Sequence, residues 1–139
     1  MQPNAHEFAA TTVSYAPALQ YRIVTGGEDA KVRVWDSRKL DKHLQVCQGH
    51  THWVVNATCG LAKDLVLSSG TDAVVCLWRC SATSESSELS GSLVTCYQDH
   101  EDSVYGCCWS AEDQYVFASL SYDGRLLVHS VSDADDAEA

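Results

Sequence analysis

Three stretches of the sequence share one alternation of apolar and polar positions. Each begins with an apolar run, passes through a small hydroxyl residue and a turn that carries Asp, and ends in alternating apolar residues before a large ring. The stretches are Ile23 to Asp36, Val66 to Arg79 and Phe117 to Ser130. Because Gly, Asp and Ser favour turns and β-branched residues favour strands, each stretch predicts a strand, a tight turn and a second strand.

The alternation also extends upstream of each stretch, where a further strand is expected, and it predicts an all-β fold of antiparallel strands.

An internal repeat underlies this pattern. Three histidines each precede a turn aspartate by 22 or 23 residues and a closing ring by 28 or 29 residues. The histidines are His6, His50 and His100, the aspartates Asp29, Asp72 and Asp123, and the rings Trp35, Trp78 and His129. Nine positions after each histidine comes a residue that we expect to point inward from a strand, namely Tyr15, Cys59 and Trp109. A constant period of this length indicates stacked copies of one supersecondary unit.

The repeat resembles the WD40 family, whose units carry a Gly-His pair, an Asp turn and a Trp-Asp pair. Gly49-His50 and Trp35-Asp36 match these pairs, and the other copies are degenerate. The resemblance implies a partial β-propeller of three blades, expected at 1–48, 49–97 and 98–132, with about eleven antiparallel strands and the third blade without its outer strand. The strands of the first blade are then expected at 10–15, 20–26, 31–36 and 43–48, and those of the second at 53–59, 64–69, 74–79 and 92–97. The third blade is expected to contain strands at 104–109, 115–120 and 125–131. Family propellers usually close seven blades, so we expect the chain to be a fragment whose remaining blades lie elsewhere.

Each repeat contains a His, a Ser or Thr and an Asp, as a hydrolase triad does. An active site needs one copy, whereas this set occurs three times and has no nucleophile-elbow motif, so we expect no catalytic residues and no enzyme activity. The family resemblance implies instead that the residues form structural hydrogen-bonded tetrads. These would be His6, Thr25, Asp29 and Trp35; His50, Ser68, Asp72 and Trp78; and His100, Ser119, Asp123 and His129, whose ring can still donate.

Charge and hydropathy exclude several classes of partner. The 139 residues hold 9 Lys and Arg against 19 Asp and Glu, a net charge of −10 that argues against binding nucleic acid or an anionic membrane. No apolar run approaches the roughly 20 residues of a membrane span, and the N-terminus lacks the layout of a signal peptide. We therefore expect a cytoplasmic protein without direct membrane insertion.

The seven cysteines predict packed, reduced thiols, because their number is odd and several lie in apolar runs. Cys76 and Cys80 alone have the close spacing of metal ligands, and no second pair complements them. We expect no metal and no cofactor. The Ser-rich acidic segment 81–92 is expected to be a solvated loop or a phosphorylation and docking segment, and 133–139 to be an acidic tail.

Aromatic residues next to the predicted turns are candidates for partner binding, with core packing as the alternative. In the resembled family the Gly-His loops and Asp turns share one face, and Trp and Tyr dominate binding hot spots. The candidates are Trp53, Glu101, Asp102, Tyr105, Tyr122 and Glu28, with Lys31 nearby. Rings surrounded by acids would suit a basic peptide or helix with apolar anchors.

Two more specific resemblances lead to different functions. The block 100–127 resembles WD40 proteins that bind multisubunit vesicle-tethering complexes, which implies a scaffold in endosomal recycling and dense-core vesicle cargo sorting, peripheral at endosomes or the trans-Golgi. The stretch 23–38 is similar to the box by which some propellers dock onto the adaptor of cullin-type ubiquitin ligases. Asp29, Asp36 and Arg38 carry that box, and Asp36 and Arg38 are the candidate docking residues.

Overall fold

Antiparallel strands form the regular structure of this chain, which a computed structural model describes over residues 4–17, 19–62, 64–80 and 92–131. Eleven strands occur in these ranges, and no helix. They are β1 (Ala10–Tyr15), β2 (Arg22–Gly27), β3 (Lys31–Asp36), β4 (Gln45–Gln48), β5 (Val54–Cys59), β6 (Leu65–Gly70), β7 (Val75–Arg79), β8 (Ser92–Tyr97), β9 (Val104–Trp109), β10 (Val116–Ser121) and β11 (Leu126–Ser130).

The strands form three sheets in which each strand pairs with its neighbours in sequence. The first sheet has the order β1-β2-β3-β4, the second β5-β6-β7-β8, and the third β9-β10-β11. Every strand begins and ends within two residues of its predicted bounds, which confirms the all-β prediction. Segment 81–91 and tail 133–139 lie outside the described residues. Across the described ranges, we find no helix with the length and apolar character needed to cross a membrane.

The sheets pack face against face, and strand alternation explains how the middle sheet serves both neighbours. Side chains of one face of the second sheet, including Val66 and Trp78, pack with Val24 and Val32 of the first sheet. The opposite face presents Leu67 to Phe117 of the third sheet. Because successive residues of a strand point to opposite faces, β6 is buried along its whole length.

The two outer faces of the stack remain exposed. On the first sheet, Val13 and Tyr15 each expose 68% of their surface, and on the third sheet Leu126 and Val128 expose 67% and 68%. The prediction that Tyr15 points into a core is therefore wrong. Its counterpart Trp109 is half-buried because it packs on the second sheet, whereas no described residue covers Tyr15.

Tight turns of one geometry join the second and third strands of each sheet. The residue after the turn aspartate has a positive φ in all three, 65° at Ala30, 65° at Ala73 and 83° at Gly124. Glycine adopts this left-handed conformation freely, whereas alanine is strained there. The turns therefore hold their aspartates in the same place at one end of every sheet.

Candidate functional site

The second sheet contains a complete chain of side-chain hydrogen bonds. His50 Nδ1 lies 2.9 Å from Asp72 Oδ2, and His50 Nε2 lies 2.7 Å from Ser68 Oγ. The indole Nε1–H of Trp78 donates to the same Ser68 Oγ at 2.7 Å. A neutral imidazole with its proton on Nδ1 satisfies this chain, since it donates to the carboxylate and accepts from the serine hydroxyl. The structure thus brings together all four residues of the predicted second tetrad.

The first sheet repeats this series of hydrogen bonds and adds a positively charged side chain, that of Arg33. His6 lies 2.9 Å from Asp29 and 2.8 Å from Thr25, which accepts from Trp35 at 2.9 Å. Arg33 Nη1 donates to Asp29 Oδ2 at 2.8 Å. The register places Arg33 opposite Thr25, where the other two sheets carry Cys76 and Leu127, so the ion pair is specific to this sheet. Sequence reasoning missed Arg33, because it lies outside the repeated set.

In the third sheet, three of the four predicted tetrad residues are joined by hydrogen bonds. His100 lies 3.0 Å from Asp123 and 2.9 Å from Ser119. The prediction that His129 supplies the fourth member needs correction, because its ring stacks on Phe117 with 5.2 Å between centroids. Its Nε2 lies 3.8 Å from the carboxylate of Asp99. An imidazole is shorter than an indole, and it lies flat in the apolar layer instead of reaching the serine.

The tetrad carboxylates are held in their charged form. Burial opposes the ionisation of Asp29, but hydrogen bonds from Arg33 and His6 outweigh burial and lower its pKa to about 2. Burial also tends to raise the pKa of Asp123. Hydrogen bonds from two backbone N–H groups and from His100 outweigh this effect and lower the pKa to about 2. Burial lowers the pKa of His6, so its ring is neutral at pH 7. Fixed charges and buried rings that recur in three sheets suit a structural connection rather than proton transfer to a substrate.

Above the tetrads, the loops at this end of the three sheets form one rim. The first strand of each sheet, β1, β5 or β9, is its innermost strand. In each sheet, the backbone N–H beside the turn aspartate donates to the loop before this strand, as from Thr71 to Trp53 O at 3.0 Å and from Tyr122 to Ser103 O at 3.0 Å. Ser103 Oγ donates to Thr71 O at 3.4 Å and joins the second sheet to the third. The candidate residues Trp53 and Tyr122 therefore lie on neighbouring loops of one surface.

Exposed rings populate this rim. Trp53, Tyr105 and Tyr122 expose 45%, 41% and 71% of their surface, so none is core. Tyr105 and Tyr122 stack with their ring centroids 4.1 Å apart. Phe8, two residues after His6, is 65% exposed at the corresponding loop of the first sheet. It lies on the loop that corresponds to those of Trp53 and Tyr122, and sequence reasoning missed it because the residues two positions after the other histidines are His52 and Asp102, not apolar rings.

A β-bulge places Tyr105 on the rim. Between Val104 and Gly106 the register of β9 shifts by one residue, so Tyr105 is the extra residue. Bulges re-aim a side chain without ending the strand. The innermost strands β1 and β5 carry the same bulge at Thr11 and Val55. Thr11 uses its position to donate to Val54 O, and Tyr105 uses the equivalent position to meet Tyr122.

The charges around the rings are only partly balanced. Glu101 lies 3.5 Å from Arg125, and Glu7 lies 3.5 Å from Lys31 at the corresponding place of the first sheet. Asp102 is exposed, and its Oδ1 accepts from the backbone N–H of Ser103. Both ion pairs are exposed, so each contributes little to stability. The predicted acids are present on the rim, but two basic side chains lie among them.

The opposite end of the first sheet carries the alternative candidates. Arg38 Nη2 and Nε lie 2.8 Å and 3.0 Å from the carboxylate oxygens of Asp36, and the guanidinium covers the ring of Tyr21 at 4.4 Å. The Arg38 side chain is nevertheless 61% exposed. It borders a shallow cavity of about 200 Å³ between Leu19, Trp35 and Leu44. Within the described ranges, no group of three His, Cys, Asp or Glu is placed to hold a metal ion.

These features match a known repeat. A profile described as "WD domain, G-beta repeat" matches residues 2–36 and 91–130, more than half of the chain. The chain belongs to the WD40 repeat family. The partial WD40 β-propeller predicted from the sequence is thereby confirmed, with three sheets of antiparallel strands in the described residues.

Several WD40 relatives align with nearly the whole chain. EARP-interacting protein 1 of Caenorhabditis elegans is 38% identical over 93% of this chain and 41% of its own length. EARP and GARP complex-interacting protein 1 of Homo sapiens is 34% identical over 92% of this chain and 40% of its own. WD repeat-containing protein DWA2 of Arabidopsis thaliana is 38% identical over 86% of this chain and 37% of its own. The chain thus spans about two fifths of the length of these relatives.

The family and the names of the relatives point to a scaffold that binds other proteins rather than to an enzyme. In the described residues the three His–Asp clusters are buried, and the rim above them exposes both aromatic rings and charged side chains.

Proposed function

We propose that this chain is part of a non-enzymatic scaffold that binds an endosomal or Golgi vesicle-tethering complex and acts in endosomal recycling and dense-core vesicle cargo sorting. The observation that carries the proposal is its similarity, over more than nine tenths of the chain, to relatives named for interaction with the EARP and GARP complexes. We further propose a cytoplasmic location, peripheral at endosomes or the trans-Golgi.

The aromatic rim, defined as Phe8, Trp53, Tyr105 and Tyr122, is the surface through which we propose this binding. Exposed rings on a rigid base bind with little loss of conformational entropy, and the hydrogen-bonded loops and tetrads supply that base. Trp and Tyr are the residues most often found at binding hot spots. Glu28 and Asp102 add negative charge that Lys31 and Arg125 do not balance. The surface therefore suits a segment with apolar anchors and a few basic residues.

Binding of purified EARP or GARP complex to immobilised chain tests the proposal. Trp53→Ala and Tyr122→Ala should each weaken binding by about 30-fold, because a central anchor is worth about 2 kcal/mol or more. Leu61→Ala is the matched control, since Leu61 is as exposed as Trp53, at 45%, and lies at the opposite end of the second sheet. Melting temperatures should stay within a degree or so of wild type, because the truncated rings are exposed.

The possible outcomes distinguish an error in the proposed partner from an error in the proposed binding surface. Failure of wild-type chain to bind either complex would overturn the proposed function. Binding that survives both rim substitutions, or that falls equally in Leu61→Ala, would overturn the assignment to the rim and leave the partner standing. The location is tested by imaging a fluorescent fusion, which should concentrate on endosomes or the trans-Golgi in wild type and spread through the cytoplasm in Trp53→Ala.

A second candidate function is that of substrate receptor of a cullin-type ubiquitin ligase. The favouring observation is that Arg38 stays 61% exposed while Asp36 and Tyr21 hold its guanidinium in one orientation. Arg38→Ala should remove binding to the purified ligase adaptor and leave binding to the tethering complex unchanged. Absence of adaptor binding in the wild-type chain would exclude this candidate.

A further inference from the structure

The core between the first two sheets is unusually rich in thiols. Five of the seven cysteines pack there, Cys47, Cys59, Cys76, Cys80 and Cys96. The core between the second and third sheets contains Cys107, and Cys108 is exposed. Aliphatic side chains would fill such a core equally well, so the concentration of sulfur at one interface calls for a chemical explanation.

The thiols of this core are arranged in pairs. Cys47 Sγ and Cys80 Sγ lie 3.2 Å apart, and Cys76 Sγ and Cys96 Sγ lie 3.5 Å apart. The closer pair joins two sheets, because Cys47 belongs to β4 and Cys80 directly follows β7. Cys76 and Cys80, whose spacing resembled that of metal ligands, each face a different partner. The Arg22 side chain donates a hydrogen bond of 2.9 Å from Nη1 to the backbone O of Cys80, which holds the second residue of the closer pair in place.

We propose that Cys47 and Cys80 are a redox-modification site, at which a hydroperoxide closes a reversible disulfide between the first and second sheets. One thiol is oxidised to a sulfenic acid, and the hydroperoxide is reduced to water or the alcohol. The second thiol then attacks the sulfenic sulfur, which forms the S–S bond and releases water. The two sulfurs need to approach from 3.2 Å to the roughly 2.05 Å of a disulfide.

The surroundings of the pair determine which oxidant acts. Both side chains are almost completely buried, with 0% of Cys47 and 1% of Cys80 exposed. The hydrogen bond that the Cys80 thiol shares with Cys47, together with burial, raises the pKa of Cys80 well above its ordinary value, so the reactive thiolate is scarce. Peroxides and disulfides both react with the thiolate, so the raised pKa slows both kinds of oxidant. Burial separates them, because a small uncharged peroxide enters the apolar interface and a bulky disulfide such as oxidised glutathione does not. We therefore expect slow oxidation by peroxide, and a reducing cytoplasm returns the pair to thiols.

Formation of the Cys47–Cys80 disulfide would change the stability of the chain and leave the aromatic rim as it is. A disulfide between β4 and the end of β7 restricts the unfolded chain across the 33 residues that separate the two cysteines. We expect the oxidised form to melt several degrees higher than the reduced form. Dithiothreitol should reverse the shift. The aromatic rim lies at loops that the disulfide does not join, so this inference stands or falls independently of the proposed function.

Peroxide treatment of the folded chain, followed by alkylation and peptide mapping, tests the inference. The Cys108→Ala variant is used as background, because it removes the exposed thiol that could link two chains. We expect a Cys47–Cys80 peptide with a mass about 2 Da below that of the two free thiols. Cys47→Ala should lose both this peptide and the rise in melting temperature, and Cys96→Ala should keep both.

Three results would overturn the inference. The first is a linked peptide that joins Cys76 to Cys96 instead. The second is full alkylation of Cys47 and Cys80 after peroxide treatment and subsequent denaturation. The third is a mapped Cys47–Cys80 link that forms only when peroxide is added to denatured chain. Each is read on the variant that retains both thiols, so a folding defect of Cys47→Ala does not affect the answer.

Discussion

His129 stands opposite Phe117 in the third sheet, at the register position where Trp78 stands opposite Val66 in the second. The two rings serve different purposes there. Trp78 donates to Ser68 at 2.7 Å, whereas His129 lies against Phe117 as part of an apolar stack that also includes Tyr97. The same backbone position thus carries a buried hydrogen bond to the serine in one sheet, and ring packing with a longer contact to the Asp99 carboxylate in the other.

This difference predicts unequal effects of one substitution. Trp78→Phe removes a buried donor and should cost about 1–2 kcal/mol of unfolding free energy, since a net hydrogen bond is worth about 0.5–1.5 kcal/mol and some packing is lost as well. His129→Phe keeps the stack and should change stability by less than about 0.5 kcal/mol. Urea unfolding of both variants measures the difference. Equal losses would mean that His129 also bonds to Ser119 in solution.

Asp72→Ala should lower the free energy of unfolding of the chain. The substitution leaves His50 Nδ1 and the backbone N–H of Thr51 without their acceptor, so we expect a loss of about 1–3 kcal/mol. Asp102→Ala, which removes an exposed rim carboxylate, is the control and should be nearly neutral. Thermal melting checks both variants, and an unchanged melting temperature in Asp72→Ala would refute the structural pairing of His50 with Asp72.

The left-handed turn residues predict an opposite pair of effects. Ala73 has a φ of 65°, so Ala73→Gly should relieve strain and stabilise the chain by about 0.5–1 kcal/mol. Gly124 has a φ of 83°, and Gly124→Ala should destabilise it by about 1 kcal/mol. The space at Gly124 is open, so a loss there reports backbone strain and no clash. Denaturant melts that show no gain for Ala73→Gly would argue against the left-handed turn.

Acid should weaken the chain in two stages. The folded pKa of His6 lies below the ordinary 6.5, so its contribution is complete above pH 6.5 and falls as the unfolded chain takes up the proton below it. Asp29 and Asp123 have folded pKa values of about 2 against an ordinary 3.8. Their contribution is present above pH 3.8 and is lost as the pH falls towards 2.

Unfolding free energies measured at a series of pH values test this expectation. Asp29→Asn should flatten the lower stage, because it removes one of the carboxylates that must stay charged. A free energy that is constant from pH 7 to pH 3 would contradict both stages.

The exposed outer faces predict association of the 139-residue chain. Val13 and Tyr15 on one face and Leu126 and Val128 on the other leave apolar surface open to water. We expect the purified chain to be oligomeric or poorly soluble in spite of its net charge of −10. Multi-angle light scattering checks the mass. A stable monomer that stays soluble at high concentration would be the contrary result.

Much of this arrangement could be predicted from sequence because it is local and repeated. Alternation and turn residues, together with the four-stranded blade that the family resemblance implies, predicted all eleven strands. The spacing from His50 to Asp72 and Trp78 identified residues that meet in space. Three copies in the same register carry far more information than one. The exposure of Trp53 also agrees with its proposed place on the rim.

Features that depend on contacts between sheets could not be predicted in this way. The Cys47–Cys80 pair joins two sheets, and the separation of its sulfurs follows from how the sheets stack. Arg33 pairs with Asp29 across the turn of the first repeat, and the other two repeats have no basic residue at this position. The repeated pattern therefore could not predict this ion pair. Tyr15 follows the strand pattern of Trp109, but burial depends on whether a neighbouring sheet covers the residue.

The bulges in the three innermost strands have a consequence for how such a chain diversifies. Thr11, Val55 and Tyr105 occupy one geometric position and share neither size nor polarity. Each lies outside the paired ladder, and of the three it is Thr11 that joins two sheets through its side chain, by hydrogen bonds to Gly26 O and Val54 O. At the other two positions a residue can change without the loss of a backbone pairing, so the surface that those blades present can vary while their fold is kept.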